Sequence, residues 1–99
     1  MTQAAKFWDK RAAKYAQDPI RDMAAYEHGL DRVRAHLRPG MRVLEIGCGT
    51  GMTALTLADG VDHYLGTDVS AGMVEQGNLR LAQDPRANVT FRAATTDDL

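Results

Sequence analysis

The residues best suited to chemistry in this sequence are two acids flanking a glycine loop: Glu45-Ile46-Gly47-Cys48-Gly49-Thr50-Gly51, and then Asp68. Glycines between a strand and a helix let a backbone and a ligand approach closely, and in open α/β sheets that is where the ligand crevice lies. Asp68 falls at the end of the next apolar run, where a carboxylate can accept hydrogen bonds from both hydroxyls of a ribose. Charge then narrows the ligand. A phosphate at the helix N-terminus would face Glu45, and two unit charges ~4 Å apart interact by about 4 kcal/mol at an effective dielectric of 20. The dinucleotide spacing G-x-G-x-x-G also fails, because Met52 stands where the third glycine belongs, and no Gly-Lys-Ser/Thr follows for a P-loop. The pattern points to a ligand with a ribose, no phosphate and a cationic end.

The elements that must position these residues follow from spacing. Phe7, Trp8, Ala12 and Tyr15 share a helical arc, which predicts an amphipathic helix between Met1 and Tyr15 that Asp18-Pro19 breaks. Met23, Tyr26, Leu30, Val33 and Leu37 predict a second helix, stopped by Pro39-Gly40. Val43–Ile46 reads as a strand, and Met52, Ala54, Leu55, Leu57 and Ala58 as the helix after the glycine turn. Asp59-Gly60 closes that helix, and His63–Thr67 is a second strand that ends at Asp68. Ser70 is placed to cap the next helix, whose apolar side is Met73, Val74, Leu79, Leu81 and Ala82. Asp84-Pro85 ends it before a third strand, Asn88–Arg92. Short connections of this kind imply right-handed crossovers and a parallel sheet. The expected class is α/β, a Rossmann-like doubly wound parallel sheet of which only the first βαβαβ unit (41–99) is present, preceded by a helical lead-in (1–38).

Composition excludes several classes. At 99 residues, 44% apolar and 25% charged, the chain has room for one globular domain. A net charge of −1 offers no basic excess to hold a phosphate backbone or an anionic membrane, so no nucleic acid is expected as partner. No segment approaches the roughly 20 apolar residues of a membrane helix, and residues 1–14 lack a signal-peptide apolar core. A cytoplasmic protein with no membrane association is expected. Cys48, the single cysteine, reads as a packing residue rather than a nucleophile. His28, His36 and His63 read as solvated or capping residues, and no metal site is expected.

S-adenosylmethionine carries an ammonium and a sulfonium and meets the charge requirement. Val43-Leu44-Glu45-Ile46-Gly47-Cys48-Gly49-Thr50-Gly51 resembles motif I of class I S-adenosylmethionine-dependent methyltransferases. Asp68-Val69-Ser70-Ala71-Gly72-Met73 is similar to the family's acidic strand end and following helix start, and Phe7-Trp8-Asp9-Lys10-Arg11 through Tyr15 resembles the lead-in of its small-molecule members. The resemblance implies that Glu45 lies near the methionine amino group, that the backbone at Gly47, Cys48 and Gly49 lines methionine and ribose, and that Asp68 holds the ribose hydroxyls. It further implies Val69 and Met73 beside the adenine, with Thr95 and Thr96 near its amino group and Gly51 completing the loop. Tyr15 belongs to a lead-in helix that can fold over the cofactor. The expected activity is methyl transfer to a small-molecule acceptor, this chain supplying the cofactor-binding half and no catalytic residue being assignable. A nicotinamide-dependent oxidoreductase and a non-catalytic cofactor-binding or interaction module are the alternatives. The chain is expected to be part of a larger fold, in which case strand one has an unpaired edge open to self-association.

Overall fold

The computed structural model describes residues 2–98; Met1 and Leu99, at the outer ends of the first helix and the last segment expected above, lie outside them. Two helices, α1 (Gln3–Gln17) and α2 (Met23–Arg34), precede strand β1 (Arg42–Ile46). Helix α3 (Met52–Leu57) runs into a 3₁₀ turn at Ala58–Gly60, and β2 (His63–Asp68), α4 (Ala71–Gln83) and β3 (Val89–Ala93) follow, with a last 3₁₀ turn at Thr96–Asp98. The strands are parallel in the order β1-β2-β3, which leaves β1 at an edge.

Register decides what each face carries. Val43, Tyr64 and Val89 are paired across the sheet, as are Glu45, Gly66 and Phe91, so these six side-chain positions share one face. Tyr64, Val89 and Phe91 pack there with Leu30, Leu57 and Val74 to form the core. The opposite face carries Leu44, Leu65 and Thr90, and Leu44 and Ile46 remain 49% and 61% exposed. Among the described residues the core thus lies on one face only, so one of the two helical layers of a doubly wound sheet is seen.

Local signals behave as their chemistry requires. Ser70 caps α4, its Oγ accepting from the Met73 amide at 3.1 Å. Thr2 and Asp22 cap α1 and α2 in the same way. Helix α2 ends earlier than its apolar spacing predicts: the His36 and Leu37 amides donate to the carbonyls of Val33 and Arg34, a tightened last turn.

The apolar face expected for α1 is corrected by the structure. Ala5 and Ala12 are buried against the fold, whereas Phe7, Trp8 and Tyr15 are 47%, 38% and 52% exposed. The reason is close approach. Helix α1 packs on α4, and a Cβ added at Gly72 would lie 3.1 Å from the Asp9 Cα, a separation that admits small residues and excludes aromatic rings. Asp9 fastens the contact, its Oδ1 accepting from the Gly72 amide at 2.8 Å and from the Ser70 hydroxyl. Both bonds hold the Asp9 carboxyl below the usual carboxylate range.

Candidate functional site

The glycine loop leaves β1 and turns back over the end of β2. The amides of Gly47 and Cys48 both donate to the Thr67 carbonyl, at 2.7 and 2.8 Å, and the Gly51 amide donates to the Cys48 carbonyl at 3.1 Å. Asp68 ties this loop to α4: Oδ2 accepts from the Gly49 amide at 3.0 Å, and Oδ1 from the Ser70 amide at 2.9 Å. An ionised carboxylate has about four lone-pair sites, so two remain for a ligand.

A two-lobed cleft opens above the loop. The first lobe, of about 470 Å³, is lined by Glu45, Cys48, Thr50 and Tyr26. The second, of about 340 Å³, is lined by Asp68, Val69, Met73, Trp8 and Thr96. Tyr15, Gly47 and Gly49 border both lobes. Glu45 and Asp68 therefore stand in different lobes with the loop backbone between them, and the first lobe is also bordered by Asp18, Arg21 and Arg80.

Charges of both signs line the first lobe, Asp18 and Glu45 with Arg21 and Arg80, whereas Asp68 is the one charged residue lining the second. Burial pushes the Glu45 carboxyl above its ordinary value, the Tyr64 hydroxyl pulls it back by donating to Oε1 at 2.8 Å, and the charge of Asp68 pushes it up again. Among the described residues the ion pairs engage Asp31, Asp59 and Asp84, and neither Glu45 nor Asp68 takes part in one. The Cys48 thiol is pushed up to about 12, chiefly by burial and then by Glu45 and Asp68. A thiol of that kind is not a nucleophile near neutral pH.

Of the eleven residues expected at the cofactor, nine line the cleft and two do not. Gly51 lies beneath the loop at φ +84, where an added Cβ would stand 2.6 Å from Phe91 Cζ, so it answers to core packing. Thr95 borders neither lobe; its amide and hydroxyl donate to Asp98 Oδ2 at 2.9 and 3.3 Å. Trp8 was not among the expected site residues. It stands seven residues before Tyr15, a spacing that puts both on one helix face, and the two rings meet edge to face with centroids 5.9 Å apart.

A family profile described as "Methyltransferase domain" matches residues 43–99. The demethylmenaquinone methyltransferase of Symbiobacterium thermophilum is 32% identical over 103 aligned residues, covering 95% of this chain and 40% of that protein. The ubiquinone biosynthesis O-methyltransferase of Mesorhizobium japonicum is 35% identical over 80 residues, covering 81% of this chain and 32% of that protein. Among solved structures, the DhpI-SAM-HEP complex superposes with a TM-score of 0.75 at 28% identity, over 100% of this chain and 47% of the other. The chain spans less than half the length of each of these relatives. With an α/β sheet of this order and a family match across more than half its length, the chain belongs to the methyltransferase-domain family.

Proposed function

We propose that this chain is the cofactor-binding half of an S-adenosylmethionine-dependent methyltransferase that acts on a small molecule. One observation carries the reading: Glu45 and Asp68, neither ion-paired among the described residues, stand in different lobes of a single cleft, separated by the Gly47–Gly49 backbone. Glu45 takes the ammonium of the methionine end, and Asp68 takes the ribose hydroxyls with the lone pairs its two backbone amides leave free. The residues fit that cofactor because a cation beside Glu45 relieves its repulsion with Asp68, whereas a phosphate beside Glu45 would add to it. Val69, Met73 and Thr96 line the adenosine lobe, and Tyr15 and Trp8 form its aromatic wall. Bound S-adenosylmethionine supplies an activated methyl group, and the chain's own task is to orient it, since orientation of this kind is worth about 7–11 kcal/mol of barrier.

The quinone methyltransferases among the relatives support a small-molecule acceptor. The open edge of β1 and the exposed Leu44 and Ile46 support a sheet that continues past this chain in the whole protein, and self-association through that edge when the chain stands alone. No helix among the described residues is long and apolar enough to cross a membrane; a cytoplasmic setting is part of this reading. Calorimetry with S-adenosylmethionine and its demethylated product tests it. Both should bind, Asp68→Ala should lose most of that binding, and reduced nicotinamide nucleotide should show no change in fluorescence on mixing. A folded chain that binds neither cofactor form would refute it.

A further inference from the structure

Tyr64 is a titratable core side chain that the reading above does not use. It lies on the middle strand of the sheet, 2% exposed, in the same core cluster as Leu57, Val74 and Phe91, and its hydroxyl donates to Glu45 Oε1 at 2.8 Å. A tyrosine in that position could have been a phenylalanine at no cost to packing. The hydroxyl has one partner, and that partner is the acid of the first lobe.

We infer that Tyr64 is the positioning residue of the ammonium site: its hydroxyl anchors Glu45 Oε1 from beneath the cleft and turns the second carboxylate oxygen toward the ligand. Among the described residues Glu45 Oε2 has no hydrogen-bond partner and no buried side-chain oxygen or nitrogen lacks one, so Oε2 is open to solvent at the lobe that Glu45 lines. The inference rests on the cofactor reading above.

The surroundings explain why such an anchor is needed. On β2, Asp68 repels the Glu45 charge, and in the loop Cys48 adds a neutral thiol. Tyr15 and Asp18 at the end of α1, Arg21 before α2, Tyr26 on α2 and Arg80 on α4 also border the lobe. Arg80 is engaged at the Ala16 carbonyl, 2.8 Å away, and neither arginine is ion-paired with Glu45. Tyr64 is thus the one group among these that stabilises the Glu45 carboxylate through a hydrogen bond. Burial and the nearby Glu45 charge push the Tyr64 hydroxyl upward, so it stays protonated and remains a donor at every working pH.

The test compares wild type with Tyr64→Phe, which keeps the ring and removes the donor. In the ligand-free chain, ¹³C NMR of the Glu45 side-chain carboxyl should show its titration moving to higher pH in Tyr64→Phe. By calorimetry the variant should lose affinity for S-adenosylmethionine, about tenfold in acid and less at neutral pH, the share expected of a hydrogen bond to a charged group. Affinity for 5′-methylthioadenosine, which has no ammonium, should be unchanged at either pH. A merely structural tyrosine would weaken both ligands alike and leave the pH profile in place. If Glu45 titrates identically in the two proteins, or both ligands weaken together, the inference is overturned while the cofactor reading stands. If folded wild type binds no S-adenosylmethionine, both fall.

Discussion

Gly51 offers the sharpest separation of folding from binding, because alanine there should damage the first and alanine at Gly47 the second. At Gly51 the backbone lies at φ +84, and a left-handed conformation costs an ordinary residue about 1–2 kcal/mol. A new Cβ would also stand 2.6 Å from Phe91 Cζ and 3.2 Å from the Gly77 Cα, and overpacking of this sort costs about 1–3 kcal/mol. Together Gly51→Ala should destabilise by about 2–5 kcal/mol, a large share of the roughly 5–15 kcal/mol typical of a folded domain. For a chain of this length, each kcal/mol moves the midpoint by about 4–8 °C, so Tm should fall by about 10 °C or more. Gly47 has φ +76 and open space around its missing Cβ, which leaves only the backbone cost of about 1–2 kcal/mol. Its side chain would instead enter the cleft that both lobes share, and cofactor binding should be lost. Urea unfolding followed by circular dichroism, paired with calorimetry, reads both effects. Trimming the ring with Phe91→Leu should recover part of the Gly51→Ala loss, so that the double variant is less damaged than the two single losses added together. A Gly51→Ala protein as stable as wild type, or a loss that Phe91→Leu does not relieve, would refute the reasoning.

Glu45→Gln should stabilise the chain at neutral pH while abolishing recognition of the ammonium. Burial raises the Glu45 carboxyl above its unfolded value, so the folded chain holds that proton more tightly; stability therefore falls as pH rises from the ordinary carboxylate range through the raised value. The gain from glutamine should be absent in acid and full above the raised value, which thermal melts across pH will read. Asp9→Ala should release α1 from α4: emission from Trp8, the only tryptophan, should shift to the red and become easier to quench with acrylamide. In wild type that emission should stay constant down to the usual carboxylate range, because the Ser70 hydroxyl and the Gly72 amide hold Asp9 ionised below it. Cys48, with its thiol pushed up to about 12, should react with iodoacetamide at pH 8 on the order of a thousandfold more slowly than a free cysteine, and at the ordinary rate in denaturant.

The parts of this structure that were legible in the sequence are those set by short-range chemistry. The Val43–Ile46 run, the glycine turn, the Ser70 cap and the acid ending β2 are each recognised within a few residues, and together they bring Glu45 and Asp68 to one cleft. What stayed hidden was decided by partners far along the chain. Helix α1 turns its alanines inward because Asp9 reaches Gly72, 63 residues on, and hydrophobic spacing measures greasiness rather than how near a neighbour must come. Tyr64 looks like any core aromatic until strand register sets its hydroxyl on Glu45. The glycine loop shows the limit most clearly. Gly47 and Gly51 carry the same left-handed backbone and the same missing Cβ, yet one borders the cleft and the other makes room for the ring of Phe91, 40 residues later. Ligand approach and ring approach make the same demand on the residue, so spacing within the motif cannot tell them apart; only the position of Phe91 on β3, opposite Gly66, does.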